Sequence, residues 1–225
     1  MANHLPPLLA RLIRPFTYSA RLSLAADGGA GGATTQRCTI ASGCFWGTEH
    51  LYRKHFTGKG LIDAKVGYTG GDLNDPSYKV VCGGKTGHAE AVEILFDPSQ
   101  VTYRQLLEFF YKTHDPTTLN SQGPDRGPQY RSAIFYHDAQ QEAEARDVTA
   151  RANEQWWKGG IVTEISPAGQ WWSAEEYHQR YLERTPGATS ALRTSSSPSR
   201  PCSKNVEMGC EIHDETVSLG LLQLI

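Results

Sequence analysis

Nowhere in its 225 residues does the chain carry a run of 18 or more apolar residues, which excludes a membrane-spanning helix. There is no Cys-x-x-Cys pair, so a structural zinc site or a thioredoxin-type motif has no sequence support. Neither sign of charge dominates: 22 Lys and Arg stand against 24 Asp and Glu, and the pI is about 6.4. A dedicated nucleic-acid binder is usually basic, so that class is set aside. Five cysteines are too few for a small disulfide scaffold, and the number is odd. What remains is 39% hydrophobic and 20% charged, enough apolar material for a real core and too much for a disordered or fibrous chain.

The ends read differently from the middle. Residues 1–36 contain Arg11, Arg14 and Arg21 and no acidic residue before Asp27. Leu8, Leu9, Leu12, Ile13 and Phe16 can line one face of a short helix, limited by Pro6, Pro7 and Pro15. This composition fits a mitochondrial transit peptide or a flexible extension of a cytoplasmic protein, and both compartments stay open. Residues 188–225 begin Ser/Thr/Pro/Arg-rich, the composition of a disordered tail, and hold Cys202 and Cys210. Residues 37–187 form a dense segment of one-domain size.

That segment interleaves strand and helix signals. Strands are expected over Arg37–Gly43, Leu61–Gly67, His88–Phe96, Tyr130–His137 and Val162–Ser166. Helices are expected over Phe45–Phe56, Thr102–His114, Asp138–Trp157 and Ser173–Arg184. Thr102 with Gln105, and Ser173 with Glu176, stand at capping-box spacing, and Asp138 is a ready N-cap. Tyr68–Asp75 reads as turn material. The fold class expected is α+β: a central mixed or antiparallel sheet with helices packed on it.

Cys44, in SGCFWG, sits where a strand ends and a helix begins. Unpaired N–H groups and the positive end of the helix dipole favour a thiolate there. Gly43 and Gly47 allow a tight turn, and Phe45 and Trp46 can wall an apolar pocket for a small uncharged group. A buried core cysteine is the plainer alternative. Glu90 shares a strand face with Val92, Ile94 and Phe96. Desolvation on that face would raise its pKa and make it a proton donor near neutrality; at the strand mouth it would instead be a solvated, paired carboxylate. The pattern leaves both open. Tyr78 follows a turn, Asp125 and Tyr130 flank two Gly-Pro elements, and these tyrosines could donate to a polarised oxygen. Cys38 and Cys82 are expected to pack on strands, and the histidines are too scattered to suggest a metal site.

SGCFWG, VGYTGG, NDPSYKVVCGGKTGHAEAVEI, GPDRGPQYRS and AEEYHQRYL, in this order and spacing, resemble the A-type peptide methionine sulfoxide reductases. The resemblance runs from about Cys38 to Gly187 and is specific because the motifs are linked. It implies a two-layer α/β sandwich with a ferredoxin-like core. It implies reduction of methionine-S-sulfoxide, free or in proteins, with no metal, no flavin and no other cofactor. By the same resemblance Cys44 matches the nucleophile and Glu90 the acid that protonates the sulfoxide oxygen. Tyr78 and Tyr130 match the hydroxyls bonded to that oxygen, Asp125 a loop carboxylate of the site, and Phe45 and Trp46 the methyl pocket. Thioredoxin is the implied reductant, oxidised proteins and peptides the partners, and a monomer the expected state.

Attack of a thiolate on a sulfoxide leaves a sulfenic acid, which a second thiol converts to a disulfide. Here the sequence departs from the family: after Thr185-Pro186-Gly187 the usual Gly-rich tail with an early cysteine gives way to ATSALRTSSSPSRPC. An unusual splice form or a mistaken gene model would produce such a break. Cys202 and Cys210 are the candidate resolving cysteines, with Cys82 the alternative inside the domain. Another thiol enzyme, or a binder of oxidised methionine that does not turn over, are the competing functions.

Overall fold

The structure, a computed structural model, describes residues 35–185. The candidate leader, the tail, and with it Cys202 and Cys210, lie outside the described residues. Among the described residues no helix is long and apolar enough to cross a membrane.

Four strands build the centre: β1 (Gln36–Ser42), β2 (Leu61–Thr69), β3 (Ala89–Phe96) and, after two short strands β4 (Ser121–Gln122) and β5 (Asp125–Arg126), β6 (Ser132–Tyr136). Three long helices follow β1, β3 and β6: α1 (Phe45–Phe56), α3 (Tyr103–Thr113) and α4 (Ala139–Gln155); a one-turn helix, α2 (Tyr78–Val81), lies between β2 and β3. The strands stand in the order β6-β1-β3-β2, all antiparallel to their neighbours. With α1 and α3 as the connections, this is the ferredoxin-like arrangement. At the outer edges β7 (Glu164–Pro167) joins β6 in parallel, and β8 (Trp172–Ser173) pairs with β2. The mixed sheet with packed helices bears out the expected class.

The pleat decides which side chains meet. In β3, Val92, Ile94 and Phe96 point to the helices and pack with Cys38 and Ile40 of β1, Tyr52 and Phe56 of α1, and Leu106, Leu107 and Phe110 of α3. Each such apolar side chain contributes about 1.5–3 kcal/mol on burial. The opposite face carries a smaller cluster of Ala41, Ala89, Ala91, Ala133 and Phe135, covered by Ala168 and Trp171. Gly67 lies on that side because a Cβ there would sit 2.5 Å from the Trp171 ring. Local signals start the helices as the sequence suggests. Thr102 and Gln105 form the full capping box on α3, and Asp138 accepts from the Gln141 amide at 2.8 Å to start α4.

The structure corrects the reading in four places. Ser173–Arg184 is not one helix: β8 is followed by a 3-10 turn (Glu176–His178), and Arg180 has φ +53 before the short α5 (Tyr181–Arg184). The capping box there does not form: the Ser173 hydroxyl accepts the Trp171 indole N–H and the Glu176 carboxylate takes Arg184. Tyr68 belongs to β2 and the core rather than to a turn. Cys82 caps α2 rather than packing on a strand, and the strand expected over Tyr130–His137 starts only at Ser132, with Tyr130 in a 3-10 turn.

Candidate active site

β1 ends at Ser42, and Gly43 turns the chain at φ +91 so that Cys44 becomes the N-cap of α1. The turn is crowded: a Cβ on Gly43 would lie 2.6 Å from the Gln122 side chain. The Cys44 carbonyl accepts from the Thr48 amide, and Thr48 is tied by its hydroxyl to Ser42 at 2.7 Å. Cys44 is 8% exposed, enclosed yet at the surface of the core.

Glu90 is 1% exposed. It stands opposite Tyr68 in the β2–β3 register, on the helix-facing side of the sheet. Its Oε2 accepts the Phe45 amide hydrogen at 3.2 Å, one of the N–H groups left over at the start of α1. Burial raises its pKa to about 8; the Phe45 hydrogen bond opposes the shift, and the nearby Asp125 charge adds to it. The open question about Glu90 is answered: it is a desolvated acid. It sits one residue away from the thiol through its contact with Phe45.

Phe45, Trp46 and Tyr78 form a wall beside this pair. The Phe45 ring stacks on Tyr78 at a centroid distance of 6.5 Å and lies 6.4 Å from Trp46. Burial first, then the Glu90 charge, push the Tyr78 pKa well up, with Cys82 and Cys44 adding to the shift, so its hydroxyl stays protonated. Tyr130 closes a buried 3-10 turn (Pro128–Tyr130) that packs against β3, the strand of Glu90. Asp125, half-buried in β5, pairs with Gln122, the residue against Gly43. Cys44, Glu90, Phe45, Trp46, Tyr78 and Asp125 thus converge around the start of α1, and Tyr130 adjoins them through β3.

Sequence reasoning missed a second group. Tyr68, fully buried, donates its hydroxyl to Glu175 at 3.0 Å. Glu175 also accepts the Tyr78 amide hydrogen at 2.9 Å. Trp46 donates its indole N–H to Nδ1 of His178 at 3.0 Å and stacks on Tyr181 at 3.8 Å and 11°. The signal was present in VGYTGG and AEEYHQRYL, which carry these residues. Cys38, fully buried, has its pKa pushed well up by burial and is held in the unreactive thiol form. Among the described residues no group of three or more His, Cys, Asp or Glu side chains is placed to hold a metal ion.

The family profile described as peptide methionine sulfoxide reductase matches residues 36–208. The chain belongs to the peptide methionine sulfoxide reductase family. Peptide methionine sulfoxide reductase MsrA of Methanothermobacter thermautotrophicus is 51% identical over 152 residues, 67% of this chain and 88% of that protein. Its counterpart in Mycolicibacterium paratuberculosis is 50% identical over 153 residues, 68% and 85% of the two chains. Among solved structures, reduced Mxr1 from Saccharomyces cerevisiae superposes with a TM-score of 0.66 at 42% identity, covering 69% of this chain and 88% of that one. Methionine sulfoxide reductase A of Corynebacterium diphtheriae gives 0.65 at 34%, covering 82% and 85%. These relatives bear out the resemblance seen in the motifs, and with it the ferredoxin-like α+β fold and the activity of a methionine sulfoxide reductase. The profile match runs past Gly187 and takes in Cys202, while Cys210 falls beyond it.

Proposed function

We propose that this peptide methionine sulfoxide reductase acts on the S epimer of methionine sulfoxide, in proteins and free, with Cys44 as nucleophile and Glu90 as acid. The observation that carries this reading is the Phe45 amide donating to Oε2 of the buried Glu90. It fixes an acid with a pKa of about 8 beside the start of the helix that presents the thiol. With Oε2 occupied as an acceptor, the carboxyl proton is available to the substrate oxygen.

A sulfoxide sulfur becomes electrophilic when its oxygen is protonated or strongly hydrogen-bonded. Glu90 supplies the proton, and Tyr78 and Tyr130 donate hydrogen bonds as charge develops on that oxygen. Cys44 attacks the protonated sulfoxide sulfur and forms an S–S bond to it; the S–O bond breaks, its oxygen passes as hydroxide to the Cys44 sulfur, and methionine leaves with the electron pair of the S–S bond. The oxygen ends on Cys44 as a sulfenic acid. Phe45 and Trp46 enclose the methyl group. Asp125 shapes the field at Glu90 and places polar atoms at the mouth. A second thiol, on Cys202 or Cys210, condenses with the sulfenic acid to give a disulfide and water. The dithiol of thioredoxin then reduces that disulfide. The reductase domain spans 37–187, the chain acts as a monomer, and residues 1–36 direct it to mitochondria or leave it cytoplasmic; sequencing the mature N-terminus separates the two.

The test is a blocked peptide carrying racemic methionine sulfoxide, incubated with the full chain and dithiothreitol. Loss of the S epimer alone, absent with Cys44→Ser, is expected. No turnover of either epimer by folded protein would sink the catalytic reading and favour a binder of oxidised methionine.

A further inference from the structure

β1 delivers Cys44 at one edge of the sheet, and three other strands begin at that edge. β3 starts at Ala89, next to Glu90; β6 starts at Ser132, opposite Ser42; β7 starts at Glu164, opposite Ala133. Neighbouring strands lie about 4.8 Å apart, so β7 stands about 10 Å along this edge from the end of β1. A cavity of about 140 Å³ lies there, with Leu119, Asn120, Arg131, Ser132, Val162 and Glu164 in its lining.

We propose that this cavity is a subsite for the polypeptide flanking the methionine sulfoxide, and that it takes an uncharged aliphatic side chain. This rests on the reading of Cys44 as the point of attack.

The lining fits such a side chain. Leu119 is 73% exposed and Val162 43%, so two large apolar side chains border the cavity at the surface. The charges beside them are spent on one another. Arg131 donates from Nε to Oε2 of Glu164 at 2.8 Å and from a second guanidinium nitrogen to the Pro128 carbonyl at 3.0 Å. The Ser166 hydroxyl donates to the other Glu164 oxygen at 2.8 Å. A charged ligand would have to break into that pair, whereas an aliphatic one leaves it whole. The walls are fixed before any ligand arrives. The Val162 amide donates to the Pro116 carbonyl at 2.9 Å, and the Thr118 hydroxyl to the Ser121 carbonyl at 2.6 Å. Asn120, at φ +51, accepts the Gly127 amide hydrogen on its carbonyl at 2.9 Å. Its exposed carboxamide can both donate to and accept from the peptide groups of a passing chain. The occupant follows from the distance. An extended chain advances about 3.3 Å per residue, so the 10 Å from the end of β1 takes about three residues, and side chains about two or four positions from the oxidised methionine share its face.

The test uses blocked peptides with one methionine sulfoxide in a Gly/Ser background, the full chain and dithiothreitol. Leucine replaces serine two or four positions to either side, and the readout is the ratio of kcat/KM for the leucine peptide to that for the serine peptide. At one of these positions the ratio is expected to reach about 10, carried by a lower KM. Glutamate or lysine there should stay within about twofold of serine. In the double variant Leu119→Ser, Val162→Ser the leucine ratio is expected to fall to within about twofold of unity; a general loss of activity cancels in the ratio. The proposal is overturned if no position gives a ratio above about two, if a charged residue gains as much as leucine, or if the leucine preference survives the double variant. Should that variant not fold, Leu119→Ser alone, at an exposed position, must cut the ratio at least about threefold. Cys44→Ser is run alongside. Turnover that persists in it sinks the reading of Cys44 and takes this inference with it. Turnover lost in it, with a ratio the cavity variants do not move, sinks this inference alone.

Discussion

A carboxyl group that is to give up its proton at neutral pH has to be kept from losing it earlier, and Glu90 is kept from doing so by burial. Its folded pKa of about 8 lies above the ordinary value of 4.5. On the proposed reading of Glu90 as the acid, the form that protonates the sulfoxide is present below about pH 8 and is lost as pH rises through it. The rate of the sulfoxide-reduction step, followed as methionine formed in a single turnover, is expected to fall above about pH 8. In Glu90→Gln that limb should vanish and the rate should drop by about 10² or more. The same shift acts on stability: between pH 4.5 and about 8 the native state holds a proton the unfolded chain has released, so Glu90 makes the fold less stable as pH rises through that window. Tyr78→Phe and Tyr130→Phe should each lower kcat by about 10²-fold with a smaller change in KM, as expected for donors that matter most in the transition state. The turn at Cys44 was legible in the sequence because its cue is local, a Gly-Cys-aromatic run; for Glu90 the apolar alternation left a desolvated acid and a solvated carboxylate both open, and its burial depends on the β2–β3 pairing. The partners of Tyr78 were not legible. Glu175, which takes its amide hydrogen, is 97 residues away in the chain, and no short-range pattern encodes that bond.

At the scale of elements, short-range chemistry governs where no distant partner competes. The capping box at Thr102 formed as its spacing implied, and Thr102→Ala is expected to cost about 1 kcal/mol in urea unfolding. The equivalent spacing at Ser173 failed. There the Ser173 hydroxyl takes the Trp171 indole N–H instead, and Gln179 binds both polar groups of Val66. Those bonds require a broken path, and Arg180 absorbs the break at φ +53. Tertiary bonds outweighed a helix propensity worth tenths of a kcal/mol per residue. The turn before α1 shows the same logic in reverse. Gly43 combines φ +91 with a Gln122 side chain 2.6 Å from where a Cβ would stand. Gly43→Ala should therefore lose about 1–3 kcal/mol of stability and also displace Cys44, read as a lower melting temperature together with a lower kcat.

Across the whole molecule, the sheet order brings the ends of the domain to the middle of its function. β1 and β3, central in the order β6-β1-β3-β2, carry the thiol turn and the acid, and β2 carries Tyr68 and anchors the segment Ala174–Leu182. The alternation of strand and helix signals made the class legible. The order of the strands was not, because it depends on pairings between residues far apart in sequence. The tail has its own expected outcome. Replacing Cys202 and Cys210 together by Ser should leave dithiothreitol-driven turnover in place. Thioredoxin-driven turnover, followed by coupled NADPH oxidation, should stop after about one methionine per chain, since sulfenic acid then has no tail thiol to meet.

The Trp46–His178 bond joins residues 132 positions apart. At about 5–20 residues per second, a ribosome needs on the order of 10 s to add that stretch. During synthesis Cys44 and its neighbours Phe45 and Trp46 therefore emerge long before the segment Ala174–Leu182 that holds the Trp46 indole. Until that segment arrives and folds back, the nascent chain carries the thiol beside an unbraced indole. Chemical oxidation in that interval would strike Cys44 without any selection for methionine sulfoxide.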